Sequence, residues 1–253
     1  MDFVSKYLGK KSAITEDLIK QIHEILVKDV RGGELEPGKY RELQNWVVNS
    51  LTGEIIYTPL PPRNVPGLMK EFVDCLNKAT DISPVLLAGI AQYQFVDIHP
   101  FLDGNGRTAR ILCTLILYQN GYDFERLFSL SEYYDKDSPG YYKAIRSVRM
   151  IRNMTQWLEY FTDGLKAQMQ EVKQKGELAI KKEIIIERAS KDNLNERQKV
   201  LIHLLDNPYI NRARYVGLYG VSPRTADYDL SELEKLGFIE RIGVGRTIKY
   251  AIK

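Results

Sequence analysis

The sequence predicts a mainly α-helical protein with a short β-hairpin in its first half and a small separate unit at its end. Three observations carry this. Apolar residues recur at helical spacing over most of the chain, strand-like alternation is confined to a few short stretches, and residues 194–253 run helix, helix, helix, hairpin. A chain of 253 residues can bury one large or two modest cores, and 44% hydrophobic with 27% charged residues is the balance of a soluble globular protein. No run of about 18 apolar residues occurs and the N-terminus lacks a leader pattern, so neither a membrane span nor a signal peptide is expected. A cytoplasmic location follows as an expectation, with Cys75 and Cys113 as buried, reduced thiols.

Residues 1–13 give little. The first helix has Thr15 as N-cap, Glu16 and Asp17 in an acidic first turn, and Leu18, Ile22, Ile25 and Leu26 on one face; it should end before Gly32-Gly33. Pro37-Gly38 is a turn leading to Gln44–Val48. Ile55–Thr58, bounded by Thr52-Gly53 and Pro59–Pro62, reads as one arm of a hairpin around residues 46–62. Helix returns over Val65–Leu76, with Met69, Phe72, Val73 and Leu76 facing the core. Ser83 and Pro84 then start a helix through Ile98 that is apolar nearly all round and should be buried. Proline at 100 disfavours helical dihedrals for His99, so this helix should stop there. A second helix begins near Gly106 and is halted by Asn120-Gly121. Ile145, Val148, Trp157, Leu158 and Phe161 continue the core, and 165–189 reads as a charged connecting helix.

Between the two central helices lies His99-Pro100-Phe101-Leu102-Asp103-Gly104-Asn105-Gly106-Arg107-Thr108-Ala109-Arg110. Gly104 and Gly106 allow backbone dihedrals closed to other residues, and amides curled in this way form an anion nest that opens onto a helix N-terminus. Arg107 and Arg110, three apart, project from one side of the first turn. A carboxylate at Asp103 would repel an anion unless a hard cation lies between them, a position that suits Mg2+. His99 supplies a group of near-neutral pKa able to take a proton from an attacking hydroxyl. The pattern points to in-line attack on a nucleotide phosphate.

This stretch resembles the Fic domain signature, His-Pro-Phe-x-Asp/Glu-Gly-Asn-Gly-Arg-x-x-Arg, at every specified position. The resemblance extends over roughly residues 14–165 and implies a Fic-fold helical bundle that transfers AMP from ATP to a Tyr, Thr or Ser hydroxyl of a target protein, or of itself. It implies His99 as general base, Asp103 as the Mg2+ ligand, Gly104, Asn105 and Gly106 as the phosphate-binding turn, and Arg107 and Arg110 as phosphate clamps. Related Doc kinases carry lysine where this chain has Gly106, so the glycine favours AMP transfer. The hairpin becomes a flap that aligns the target segment, with Tyr57 to Leu60 at its tip. Among the tyrosines that follow, Tyr142 is the preferred wall for the adenine. Many Fic proteins restrain themselves with a glutamate in a Ser/Thr-x-x-x-Glu-Gly/Asn motif. Ser12–Asp17 fits only in part, no glutamate here is followed by Gly or Asn, and Glu16 reads better as part of a helix start.

The division expected is a Fic domain over 1–165 with its catalytic core at 83–121, a connecting helix at 166–190, and a unit at 191–253 that looks like a winged helix-turn-helix. In that unit Asn195 caps a first helix through Val200, Leu201, Leu204 and Leu205. Ala213–Leu218 form a second, Ser222-Pro223 start a third closed by Gly237, and a hairpin turns around 243–246. Residues 190–253 carry eleven Lys and Arg against eight Asp and Glu, which is the whole of the +3 net charge. The third helix, however, has net charge −2, unfavourable for a phosphate-facing helix. Protein contact, such as self-association into a homodimer or substrate docking, therefore ranks above DNA, although Arg241, Arg246 and Lys249 keep DNA open. Two alternatives stand beside adenylyl transfer: another nucleotide donor on the same site, or a DNA-binding regulator with an inert Fic scaffold.

Overall fold

The computed structural model describes residues 13–28, 36–48, 53, 55–122, 130–191, 194, 201, 203–204, 207 and 209–253. Ser12, the Gly32-Gly33 stop, Thr52, and Asn195, Val200 and Leu205 of the tail lie outside the described residues, as does the side chain of Arg246. The chain is mainly helical and divides into two compact units, Met1–Val172 and Lys173–Lys253.

In the first unit, α1 (Glu16–Val27) starts where Thr15 Oγ1 accepts the Leu18 N–H at 3.1 Å. Its Leu18, Ile19, Ile22 and Val27 are buried, as is His23. A two-stranded antiparallel ribbon follows, β1 (Val47–Val48) paired with β2 (Ile55–Tyr57), with Val47 opposite Tyr57 and an irregularity next to it. Tyr57 belongs to the pair that joins the first residue of β1 to the last residue of β2, so Tyr57 to Leu60 is not the tip. Tyr57 instead sits at the base, its hydroxyl donating to the Asp97 carbonyl at 2.9 Å. Then come α2 (Val65–Lys78), α3 (Pro84–Ile98) and α4 (Asn105–Gln119). α3 and α4 are the most closely packed helices among the described elements.

α3 buries Leu87, Ala88, Ala91, Phe95 and Ile98, consistent with a sequence apolar on all sides. Pro84 occupies its first turn, but the Ser83 side chain makes no capping hydrogen bond. α4 begins one residue earlier than the glycine spacing suggests, at Asn105, and ends at Asn120 with Gly121 at φ +86°. After it come α5 (Leu130–Lys136), α6 (Ser138–Ile151) and α7 (Thr155–Lys191). Trp157 and Phe161, fully buried, and the connecting segment expected from 165 thus belong to one 37-residue helix. Trp157 Nε1 donates to the Gly89 carbonyl at 2.8 Å, fixing α7 against the middle of α3. Cys113 is buried as expected, which raises its pKa, whereas Cys75, expected to be buried too, is exposed on α2.

In the second unit α8 (Arg212–Tyr219) and α9 (Pro223–Lys235) are capped by Asn211 and Ser222, whose side chains accept the N–H of Arg214 and Thr225. β3 (Ile239–Ile242) pairs antiparallel with β4 (Lys249–Ile252), and Ile210 adds a bridge to Tyr250. Leu201, Leu204, Tyr215, Leu230, Leu233 and Phe238 form its core. Among the acidic residues of α9, Asp229 is buried and accepts the Tyr215 hydroxyl at 3.0 Å, and Asp227 pairs with Arg212 at 3.0 Å. No helix among the described residues is long and apolar enough to cross a membrane.

Candidate active site

α3 ends at His99, whose φ of +53° and ψ of +59° are left-handed. The helix therefore stops at this residue by reversing its backbone hand. Its N–H still reaches the Phe95 carbonyl at 3.0 Å. From there the chain crosses to α4 in a loop whose carbonyls are all tied back. Arg41 Nε donates to the His99 carbonyl at 2.8 Å and the Arg41 N–H to that of Pro100 at 2.9 Å. Asn105 Nδ2 and Asn45 Nδ2 donate to the Phe101 carbonyl, and Asn45 also approaches that of Leu102 at 3.4 Å. His23 Nε2 donates to the Asp103 carbonyl at 2.9 Å, while its Nδ1 accepts the Gly38 N–H. Phe101 is fully buried, stacked on the His23 ring at 3.7 Å.

The complement of this arrangement is a row of amides without partners. Among the described residues no acceptor is found for the N–H groups of residues 102–107. A concave run of such amides at the start of a helix is the backbone geometry that receives anions. Gly104 is required here: its φ is +75°, and a Cβ would lie 2.8 Å from Val27 of α1. Gly106 departs from expectation, because it has ordinary helical dihedrals inside α4. What matters there is space, since a Cβ would stand 3.4 Å from Arg110 Nη1. The Asn105 side chain is buried and closes the loop on both polar atoms of Phe101, so only its backbone N–H faces outward.

A cleft of about 200 Å³ opens beside the loop. His99, Gly106 and Arg110 line one side, Tyr141, Tyr142, Ile145 and Arg149 of α6 another, and Val47, Ile56 and Tyr57 of the ribbon a third. Arg110 makes no hydrogen bond or ion pair through its guanidinium among the described residues. Arg107 does not line this cleft: its guanidinium donates to the Leu26 carbonyl at 3.1 Å and to Asp103 Oδ2 at 3.3 Å. The two arginines therefore do not point the same way. Tyr142 is partly exposed over the cleft, whereas Tyr141 is enclosed by Tyr134 and Trp157.

Burial lowers the pKa of His99 to about 4, with Arg41 and Arg149 adding to the effect and the Val96 carbonyl and Asp103 opposing it. Near neutral pH the ring is uncharged. Nδ1 faces the Val96 carbonyl at 3.3 Å, which places the proton on Nδ1 and leaves Nε2 as the acceptor. His23, also lowered by burial, is neutral too.

Asp103 is half exposed; its Oδ2 meets Arg107 and its Oδ1 accepts nothing among the described residues. No group of three or more His, Cys, Asp or Glu gathers among the described residues. A single carboxylate beside free amides does not make a protein cage, but it fits a hard cation that shares its coordination with phosphates.

Sequence reasoning missed His23, Arg41 and Asn45. A signal existed for His23, a polar residue on the apolar stripe with Ile19 and Ile22; Arg41 and Asn45 gave none, since their partners lie 56 to 58 residues away.

Fold and site together define a helical domain in which a loop of amides without acceptors among the described residues and a neutral imidazole stand beside one cleft. The family model described as Fic/DOC family matches residues 13–117. A protein adenylyltransferase Fic of Drosophila willistoni is 34% identical over 128 residues, covering 48% of this chain and 24% of that protein. The protein adenylyltransferase fic-1 of Caenorhabditis elegans is 35% identical over 116 residues, 42% of this chain and 22% of its own. The chain thus spans about a quarter of the length of these curated relatives. A crystal structure of a Fic family protein from Desulfovibrio desulfuricans superimposes with a TM-score of 0.57 at 22% identity, over 100% of this chain and 73% of that one, which shows the fold. Fic-1 of C. elegans, residues 134–508, gives 0.54 at 27% identity over 70% and 50%.

Proposed function

We propose that this protein is an adenylyltransferase that moves AMP from ATP to a hydroxyl of a target protein. The observation that carries this reading is the meeting of His99, Gly106 from the run of free amides, Arg110 and Tyr142 around one cleft. The polyphosphate lies against residues 102–107 with Arg110 as clamp, and Arg107 joins it by exchanging its Asp103 contact for a phosphate oxygen. Tyr142 covers the adenine. Asp103 would hold Mg2+, which when bound to the nucleotide offsets the phosphate charge and assists departure of pyrophosphate. His99 Nε2 takes the proton as the target oxygen bonds to the α-phosphorus; the bond from that phosphorus to the bridging oxygen breaks, and pyrophosphate leaves.

The ribbon supports the target, because its edge can pair with an extended segment and bring the hydroxyl toward His99. The second unit is read as a winged helix-turn-helix used for protein contact, self-association included. With Asp227 and Asp229 already engaged and Glu232 and Glu234 beside them, α9 is poorly suited to a phosphate backbone. The reading predicts that the chain, given ATP and Mg2+, adds one adenylyl mass to itself or to a target, and that His99→Asn abolishes the gain. A panel of nucleoside triphosphates scored by intact-protein mass tests it; no mass gained from ATP under any condition overturns it.

A further inference from the structure

α6 presents Tyr142, Ile145 and Arg149 to the cleft, residues at successive positions of one helical face. Arg149 is held unusually firmly. Its Nε donates to Asp97 Oδ1 at 2.7 Å, and the face of its guanidinium lies 3.0 Å from the centre of the Tyr57 ring. Asp97 belongs to the last turn of α3, two residues before His99, and Tyr57 is itself fixed to the Asp97 carbonyl. After this anchoring Nη2 remains, buried and with no hydrogen-bond partner. A buried donor on a cation is costly to leave unmade, and the side chain that carries it lines a cleft that also holds Arg110 and no carboxylate.

We infer that Arg149 is a third cation of the phosphate site, its guanidinium donating to a non-bridging oxygen of the phosphoryl group under attack. This assignment rests on the adenylyl-transfer reading and extends it to a residue outside the loop motif. The order of side chains along α6 decides which phosphate it meets. Tyr142 stands at the nucleoside end, Arg149 lies close enough to His99 for its charge to bear on the imidazole, and Arg107 lies beyond the cleft toward α1. The group beside both the nucleoside and the base is the one transferred. Asp97 and Tyr57 act as positioning residues that aim the guanidinium, and through Tyr57 the flap ribbon contributes to that aim.

The test compares wild type, Arg149→Gln, Arg149→Lys and Tyr57→Ala for ATP binding by calorimetry, for steady-state modification with Mg2+-ATP, and for pH dependence, with thermal melting to verify folding. Arg149→Gln should lower kcat by about 10- to 100-fold and alter the KM for ATP less than threefold, since the contact strengthens as charge develops in the transition state. Arg149→Lys should recover part of kcat, and the acid limb of the Arg149→Gln profile should move to higher pH because a positive charge beside His99 is gone. If Arg149→Gln does not fold, the lysine variant and Tyr57→Ala carry the same comparison, both expected to lose kcat and keep KM. Wild type active with the variants within threefold in kcat sinks this assignment alone, as does loss confined to KM. A wild type that neither binds ATP nor gains mass removes the adenylyl-transfer reading and this assignment with it.

Discussion

The loop between α3 and α4 and the turn into α9 are both glycine- or serine-marked helix starts, yet they are built in opposite ways. At α9 everything is local: Ser222 caps Thr225 three residues on, and Pro223 occupies the first turn. In the loop, five successive carbonyls from His99 to Asp103 are taken by Arg41, Asn45, Asn105 and His23. Three of these four come from 56 to 80 residues away. A surface helix start has only to satisfy its own backbone. A loop that must offer its amides outward needs its carbonyls immobilised from behind, and distant side chains do that.

Substitutions that remove the chemistry without touching the brace give the largest effect. His99→Asn should lower the rate of modification by about 10²- to 10⁴-fold, read by intact mass, while melting stays near wild type. Breaking the brace should affect both properties. Arg41→Ala removes a buried side chain and leaves the part-buried carbonyls of His99 and Leu60 without their donor; it should cost roughly 3 kcal/mol of stability together with most of the activity, measured by denaturant unfolding and initial rates.

Acid should act on the brace and base together. His99 has a folded-state pKa near 4 against an ordinary 6.5, so its contribution is intact above pH 6.5 and is lost as the pH falls toward 4. The drop should amount to about 3 kcal/mol and be absent in His99→Asn, and His23, shifted in the same direction, should add to the wild-type slope. In kinetics the acid limb of kcat/KM for ATP should lie below that of kcat, because bound phosphate favours the imidazolium. The smallest effect belongs to the local cap: Ser222→Ala should cost about 1 kcal/mol in the second unit and leave modification unchanged.

The same contrast explains what could be read in advance. Thr15, Pro84, Asn120-Gly121 and Ser222-Pro223 mark helix ends through partners within a few residues, and these boundaries were legible. So was the dense run from His99 to Arg110. The direction of Arg107, the helical dihedrals of Gly106, the inward turn of Asn105 and the position of Tyr57 were not, because each depends on atoms of α1, α3 or the ribbon that only folding brings near. Spacing placed Arg107 and Arg110 on one side of a turn, but long side chains follow their acceptors. The exposure of Cys75 was missed for a related reason: its helix has one buried stripe, and apolar neighbours in sequence did not say on which side the thiol falls.

The left-handed residue before Pro100 also has a practical bearing on how an inactive control should be chosen. Few amino acids tolerate that twist; asparagine does so readily, alanine at a cost near 1 kcal/mol, and valine or isoleucine worse. A dead enzyme made with a branched residue would confound lost chemistry with a deformed junction, whereas asparagine retires the imidazole and keeps the bend.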